Sequence, residues 1–286
     1  MKEYIGELFN ILGLSRISNE MLDLVKSSIR IYPTATEDSQ IGIGMSKIGG
    51  KPDLPEGWDW PTWNKLPLAF ICQLNLEHIC EYDGDKELPN QGMLYFFYEA
   101  YNQPWGYDPK DKGCCKVLYY DGDVELLKGV NFPEFLPDNC RFDSCVLDFE
   151  EELTIPSSDS LYISKLQLNK EEMDKLTKME EEAIEFMSYE PIHRLLGHPD
   201  IIQHEMETEC VLVTNGLYCG DSSSYYDPRS QELIDKATDW KLLLQIDSDE
   251  DIGMMWGDGG RIYFWIHKDD LKSKNFHKVW LILQCD

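Results

Sequence analysis

Three short blocks of the sequence occur twice in the same order, and this internal repeat constrains the fold more than any other feature. The first copy has its blocks at residues 50–53, 70–75 and 92–97, and the second has them at residues 197–200, 243–247 and 260–265. The spacing differs, since Pro52 lies 21 residues before Gln73 whereas Pro199 lies 46 residues before Gln245. Repeated blocks in fixed order predict one structural unit present twice, with the copies packed about a pseudo-twofold axis.

The patterns around these blocks are mostly those of β-strands. Apolar runs bounded by turn residues predict strands at residues 68–74, 93–98, 116–120, 242–246, 261–266 and 279–284, with residues 124–127 as a hairpin partner of 116–120. Periodicity predicts helices at residues 3–14, 19–29 and 170–187, and a short one after Asp227. We therefore expect an α+β, mainly β fold: an internally duplicated β-roll or sheet core with a pseudo-twofold repeat and peripheral helices.

The domain organisation follows from the repeat. Two copies that share one sheet make a single domain, here expected over residues 1–286. Repeat one covers about residues 41–100, and repeat two covers about residues 191–286. Residues 143–190 between them hold fourteen acidic residues against four lysines and are predicted to be an acidic helical insert. Its helix is predicted to begin after Asn169 with a capping box, and its apolar side carries Met173, Leu176, Met179, Ala183 and Met187.

Charge and cysteine content limit the partners and the compartment. The 286 residues include 26 Lys and Arg against 53 Asp and Glu, a formal net charge of −27. Such a charge argues against general nucleic-acid binding and against docking on anionic lipid, because phosphates would repel it. No apolar stretch is long enough to span a membrane. Nine cysteines without a Cys-x-x-Cys motif predict free thiols in a reducing cytoplasm.

Two glutamines interrupt otherwise apolar strands. An unpaired amide at Gln73 or Gln245 would cost free energy, so each needs a partner. One interpretation is that each glutamine clamps the loop that carries the Gly-x-Pro of its own repeat. The alternative is that both face a groove shared by the repeats and bind a ligand, together with Trp256, Asp258 and Arg261.

An acidic loop follows the second glutamine. Its carboxylates stand at positions 1, 3, 5 and 12 of a calcium-loop pattern, namely Asp247, Asp249, Asp251 and Asp258. Ile252 occupies position 6, where a calcium loop has glycine. The alternatives are therefore a calcium site and a polar hairpin loop whose aspartates hold turn amides.

A glycine-rich turn and a histidine group are two further candidates. Residues 256–260 form either a backbone nest for an anion, with Arg261 as the nearby cation, or a tight turn packed by Trp256. The histidine group lacks the His-Glu-x-x-His spacing of a zinc hydrolase and consists of His193, His198 and His204.

With these motifs, the sequence resembles the YwqG-like family, bacterial proteins of unknown function. The matching stretches are residues 46–55, Gln73 in its strand, residues 197–199, 239–249 and 256–265. The resemblance implies a mainly β, roll-like fold with peripheral helices, and it supplies no catalytic residues. It also implies an association with toxin and immunity genes of bacterial competition systems. Residues 101–145 match no motif of the family.

Two functions remain open. The first is a non-enzymatic protein of the immunity or antitoxin type, a monomer without cofactor whose acidic surface takes a basic partner such as a nuclease toxin. The absence of hydrolase, nucleotide-binding and dinucleotide-binding motifs favours it. The alternative is a small-ligand or calcium-binding protein, or an enzyme, that uses the groove between the repeats.

Overall fold

A large antiparallel sheet organises the chain. The structure is a computed structural model that describes residues 2–186 and 190–285, without the side chains of residues 184–186. Its strands are β1 (Lys26–Ala35), β2 (Lys47–Ile48), β3 (Asp53–Pro55), β4 (Thr62–Trp63), β5 (Leu66–Pro67), β6 (Ala69–Asn75), β7 (Met93–Tyr98), β8 (Cys115–Tyr120), β9 (Leu127–Gly129), β10 (Cys145–Thr154), β11 (His193–Leu195), β12 (Trp240–Asp247), β13 (Arg261–His267) and β14 (Trp280–Gln284). Its helices are α1 (Lys2–Ile11), α2 (Ser18–Leu24), α3 (Leu76–Ile79), α4 (Leu161–Ser164), α5 (Lys170–Phe186), α6 (Glu207–Thr214), α7 (Ser230–Ile234) and α8 (Lys268–Lys272).

Ten strands form one sheet in the order β14-β13-β12-β11-β1-β10-β2-β6-β7-β8. β1 and β10 lie at its centre and pair from Lys26 opposite Thr154 to Ala35 opposite Cys145. We call β2, β6, β7 and β8 the first flank, and β11, β12, β13 and β14 the second flank. Both flanks run outward from the central pair, and in each the strands follow in sequence order.

The two outer strands of the sheet approach each other. The Sγ of Cys115 on β8 lies 3.9 Å from the carbonyl oxygen of Val279, just before β14. Tyr119 on β8 packs on Phe276 with ring centroids 5.4 Å apart. These contacts make the sheet nearly closed.

Apolar side chains cover both faces of the sheet. The interior holds residues of both flanks, among them Phe96 and Phe264, whose rings contact edge to face at 5.1 Å. The outer face of the first flank packs under residues 54–68 and β9, and that of the second flank packs under α6. A fourth cluster joins α1, α2, α4 and α5. Each flank therefore needs its own cover, because a sheet that is apolar on both faces cannot leave one in water.

Several local predictions are confirmed. The predicted strands at residues 68–74, 93–98, 242–246 and 261–266 coincide with β6, β7, β12 and β13 within two residues. The capping box forms, since Glu172 N donates to Asn169 Oδ1 and Asn169 N donates to Glu172 Oε2, each at 3.0 Å. The helix it begins is α5, and the predicted stripe position Met187 lies outside the described residues. The mainly β fold with several helices is confirmed.

The helix predicted over residues 19–29 is wrong in its second half. α2 ends at Leu24, and β1 begins at Lys26. Ile29 and Ile31 sit two residues apart and both pack in the interior, so strand pairing overrides the helical spacing that includes Val25. Pro33 is accommodated in β1 because the pairing with β11 stops at Ile31.

Two further predictions fail for related reasons. Residues 124–127 do not form a hairpin with β8, because β9 pairs with β3 instead. The insert predicted to be helical begins with the ten-residue strand β10. In β10 the buried side chains of Cys145 and Leu147 alternate with the exposed ones of Asp148 and Glu150, so the strand period of two was hidden among charges.

We expect Gly49→Ala to lower the free energy of unfolding by about 3 kcal/mol or more. Gly49 has φ +63°, and an added Cβ would lie 2.0 Å from the backbone oxygen of Asp143. Gly57 is the matched control, with φ +86° and nothing within 4 Å of such a Cβ. Gly57→Ala should cost only about 1 kcal/mol from the left-handed backbone. Equal losses for both variants in urea unfolding would contradict the close approach of residues 49 and 143.

Candidate functional site

Gln73 holds a loop against the outer face of the first flank. Its Oε1 accepts a hydrogen bond from Asp53 N at 2.8 Å, and its Nε2 donates to Met45 O at 2.8 Å and to Asp53 Oδ2 at 2.6 Å. Lys47 Nζ lies 3.5 Å from the same carboxylate oxygen, and Lys47, Asp53 and Gln73 are all buried. We call this group the first clamp.

Gln245 makes the same set of contacts on the second flank. Its Oε1 accepts from Asp200 N at 2.9 Å, and its Nε2 donates to Ile192 O at 2.9 Å and to Asp200 Oδ2 at 2.8 Å. Arg194 takes the place of the lysine, with NH2 3.1 Å from Asp200 Oδ2. We call this group the second clamp.

These contacts agree with the interpretation that each glutamine clamps the Gly-x-Pro segment of its own repeat. Across the strands Gln73 pairs with Tyr95 and Gln245 pairs with Tyr263, and both tyrosines belong to the outer clusters. Neither glutamine therefore faces the interior between the flanks. A ligand-binding role for either side chain stays a prediction.

The two clamps differ at the tyrosine. The hydroxyl of Tyr263 donates to Asp200 O at 2.7 Å. The buried hydroxyl of Tyr95 has no hydrogen-bond partner among the described residues. Burial, with added repulsion from Asp53, raises the pKa of Tyr95 far above its ordinary value, so this phenol stays protonated.

The first two carboxylates of the acidic loop already have partners within the protein. Asp247 Oδ2 lies 2.9 Å from Arg261 Nε and accepts a hydrogen bond from Ile192 N at 2.9 Å. Asp249 Oδ2 lies 3.4 Å from Nε2 of the buried His193, and this hydrogen bond lowers the pKa of Asp249. His193 Nδ1 accepts from Asp247 N at 3.1 Å, so the ring bridges the two aspartates.

The other two carboxylates of the predicted calcium loop, Asp251 and Asp258, are exposed. Across residues 2–186 and 190–285, no group of three or more His, Cys, Asp or Glu side chains is arranged to hold a metal ion. The calcium site thus stays a prediction that no cluster of ligands supports.

Trp256 is fully buried and packs between aromatic rings. Its ring centroid lies 5.8 Å from that of Tyr98 and 5.7 Å from that of Phe142, and its Nε1 donates to Asp247 O at 3.2 Å. Gly257 N, an amide of the predicted anion nest, donates to Gln103 Oε1 at 2.8 Å. The contacts of residues 256–260 are therefore those of a tight turn packed by Trp256.

The histidines are not gathered in one place. His198 Nε2 lies 2.8 Å from Leu24 O, and burial lowers its pKa to about 3. His204 Nε2 lies 3.3 Å from Glu209 Oε2, whereas His193 contacts Asp249. Each ring thus has a separate structural partner.

A charged cleft beside Gly197 was not predicted. It is lined by Lys26, Ser27, Asp85, Glu87, Gly197, Lys241 and Leu242, and its volume of about 10 Å³ admits about one water molecule. Lys241 pairs with Glu87, and Lys26 Nζ donates to Tyr162 OH at 3.1 Å. A wider part of about 290 Å³ adjoins it at Ser27 and Asp85. No sequence signal predicts this cleft, because its residues come from four separate segments.

A partly exposed group of aromatic rings lies at the edge of the second flank. Tyr107 contacts Trp105 at 6.5 Å and Tyr218 at 5.7 Å between ring centroids. We call these three side chains the aromatic patch. Two of them lie in the segment that matched no family motif.

The fold and the clamps define a class of mainly β protein in which each flank of one sheet holds a loop through a buried glutamine. Residues 46–285 match the model of a family described as a domain of unknown function (DUF1963), and the chain belongs to this family. The matched region contains both clamps and the aromatic patch. No curated protein matches the chain. Among the described residues, no helix has the length and apolar character that crossing a membrane requires.

We expect Gln73→Leu and Gln245→Leu each to lower the free energy of unfolding by about 2–4 kcal/mol. Each change leaves a buried amide, a carbonyl and a carboxylate without their donor or acceptor. Gln231→Leu, at an exposed position of α7, is the control and should stay within about 0.5 kcal/mol of the wild type in urea unfolding. A clamp variant as stable as this control would contradict the role assigned to the glutamine.

We expect Glu207→Gln to stabilise the protein above neutral pH. Burial, with added repulsion from Glu205, raises the pKa of Glu207 from 4.5 to about 7. The folded state therefore holds a proton that the unfolded state releases between those values, and stability falls as pH rises through this window. The glutamine variant avoids this loss, so it should gain about 3 kcal/mol at pH 8 and little at pH 4.

Unfolding in urea at the two pH values measures this difference. Glu181→Gln, on the exposed side of α5, is the matched control and should show no such pH dependence. A gain for Glu207→Gln of the same size at pH 4 and pH 8 would show that the carboxyl is not held protonated by burial.

Proposed function

We propose that this protein is a non-enzymatic protein-binding protein, of the immunity or antitoxin type, whose acidic surface takes a basic partner. The observation that carries the proposal is the filled interior. Phe96 and Phe264 contact each other between the flanks, and Trp256 is fully buried beside Tyr98. Recognition is thereby left to the outer surface.

The exposed carboxylates of the central strands support a basic partner. On β10 Asp148 and Glu150 are exposed, with Glu152 half-buried on the same side of the strand. Two cations face this row, since Arg30 on β1 stands opposite Glu150 and Arg194 Nε lies 3.4 Å from Glu152 Oε1. With a net charge of −27, the protein attracts basic partners at long range and repels acidic ones.

The second candidate function is small-ligand binding, and the cleft beside Gly197 is the observation that favours it. Its wider part has a volume of about 290 Å³, close to the lower limit for small-ligand sites. Burial lowers the pKa of Lys26, which lines its narrow part. A shift in melting temperature with a metabolite, lost in Lys26→Met, would favour this function over protein binding.

We also propose that the two flanks are copies of one unit, as the repeated sequence blocks predict. The support is the order of the strands, the equal contacts of the two clamps, and the left-handed backbone at Gly49 and at Leu196, with φ of +63° and +59°. Because the same polar group occurs twice with the same contacts, we assign it to the scaffold rather than to a reaction.

We expect the immobilised protein to retain a basic protein from lysate of its own cells at about 0.1 M salt and to release it at about 1 M. Over that range the screening length falls from about 10 Å to about 3 Å, which removes attraction between exposed charges. Mass spectrometry identifies the retained protein. If the present chain is an immunity protein, the retained partner should be toxic when expressed alone and harmless when co-expressed with the present chain.

The control is the same chain immobilised and kept denatured in urea. This form has the same charge but lacks the folded surface. A partner that binds both forms equally would be held by charge alone, which contradicts recognition by a folded surface. Retention that persists at high salt would contradict an electrostatically steered complex.

A further inference from the structure

We infer that the aromatic patch of Trp105, Tyr107 and Tyr218 is the docking point for an arginine side chain of the basic partner. This inference rests on the proposed function and names the chemistry by which that partner is held. Its grounds are the exposure of the rings, the rigid backbone beneath them and the carboxylates around them.

Two rings of the patch are exposed, and the third, that of Tyr107, is half-buried and contacts both. Trp105 is 36% exposed and Tyr218 is 42% exposed. The Tyr107 and Tyr218 rings meet at 87°, edge to face, so this contact covers a face of only one of the two rings. Exposed groups of large aromatic side chains on a folded surface mark interaction sites more often than chance.

The backbone beneath the rings is fixed to the edge of the sheet. Leu283 N on β14 donates to Trp105 O at 3.0 Å, and Trp280 Nε1 donates to Gly106 O at 2.8 Å. Gly106 has φ +88°, and a Cβ there would lie 1.9 Å from Leu281 O. The backbone that carries Trp105 and Tyr107 is therefore held in place before any partner arrives, which lowers the entropy lost on binding.

The segment that carries the third ring, that of Tyr218, is hydrogen-bonded to the segment that carries the other two. Cys219 N donates to Tyr107 O at 2.8 Å, so the chain after Tyr218 is joined to the segment that carries the first two rings. Gly220 lies against the Tyr218 hydroxyl and the Tyr107 ring, where a Cβ would stand 2.2 Å and 2.9 Å from them. The patch is thus one rigid surface built from two distant segments.

Carboxylates surround the patch. Asp108 follows Tyr107 in the chain, Asp111 Oδ2 accepts from Gly106 N at 3.1 Å, and the exposed Asp221 follows Gly220. Lys110 is the facing cation, with Nζ 3.7 Å from Asp108 Oδ2. Desolvation, with added repulsion from Tyr107 and Asp221, raises the pKa of Tyr218, which agrees with a negative local potential.

Arginine fits this combination better than lysine. Its planar guanidinium stacks on an aromatic face, is more weakly hydrated than an ammonium, and presents a fork of donors to a carboxylate. Rings and carboxylates side by side supply both kinds of contact. An aliphatic side chain would leave the carboxylates without a donor, and an acidic one would be repelled by them.

The test is a calorimetric titration of the full chain with a blocked peptide, Gly-Arg-Gly-Arg-Gly, and with its lysine analogue at about 0.1 M salt. The arginine peptide should bind at least about threefold more tightly than the lysine peptide. Tyr218→Ala and Trp105→Ala should each weaken the arginine peptide about three- to thirtyfold, because each removes a ring face. Asp221→Asn should weaken it at low salt and leave it unchanged at high salt.

Matched controls separate the patch from exposure and charge in general. Tyr4→Ala removes an aromatic side chain that is 71% exposed on α1, and Asp23→Asn removes an exposed carboxylate of α2. Both should leave the affinity unchanged. Thermal unfolding of every variant verifies that it is folded. The docking point is overturned if the wild type binds neither peptide, if the lysine peptide binds as well as the arginine one, or if the controls weaken binding as much as the patch variants.

Capture of the basic partner separates a failure of the docking point from a failure of the proposed function. If Tyr218→Ala and Trp105→Ala proteins retain that partner with the salt profile of the wild type, the docking point is wrong and the proposed function stands. If the wild type retains no basic partner at any salt concentration, the proposed function fails, whatever the peptides do.

Discussion

A carboxamide buried within a β-strand must have its oxygen and its nitrogen paired, and most of this architecture depends on how that demand is met. Gln73 and Gln245 find their partners in segments that precede their own strands, at Asp53 in β3 and at Asp200 in a loop. Each segment is thereby fixed to the outer face of its flank. Because that face is apolar, the fixed segment and the residues that follow it serve as its cover.

The clamps also explain why buried charges are tolerated close to the sheet. The buried Asp53 and the half-buried Asp200 each receive the amide of a glutamine and face a buried cation, Lys47 or Arg194. An isolated buried carboxylate would be expensive, whereas one with several donors and a cation is compensated. Removing the glutamine therefore disturbs more than one hydrogen bond, since the carboxylate, the cation and the loop share the same group.

Local sequence signals predicted the elements whose stability is local. The apolar strands β6, β7 and β13 and the capping box of α5 are of this kind, because strand composition and reciprocal capping act within a few residues. β1 and β10 were missed because each has a competing signal. Val25 and Ile29 have helical spacing, and β10 carries carboxylates on its exposed side. Only their mutual pairing, across more than one hundred residues, makes them the centre of the sheet.

The candidate sites also divide into those with a local sequence signal and those that form only on folding. The two glutamines could be singled out because a polar residue in an apolar strand is visible in the sequence. Their cations, the charged cleft and the aromatic patch could not be predicted, because their residues come together only after folding. Lys26 and Lys241 line one cleft, and Tyr107 contacts Tyr218. No spacing rule links residues that come together through the closure of a sheet.

In the proposed complex, charge and aromatic contact act over different distances. The net charge of −27 attracts a basic partner that comes within a screening length of about 8–10 Å but does not fix its orientation, because carboxylates are spread over the surface. The rings act only on contact, and their backbone is held to β14 before contact occurs. A partner that arrives through charge is therefore retained only where a guanidinium meets Trp105 and Tyr218. Loss of the rings should then change the dissociation rate, whereas loss of distant carboxylates should change the association rate.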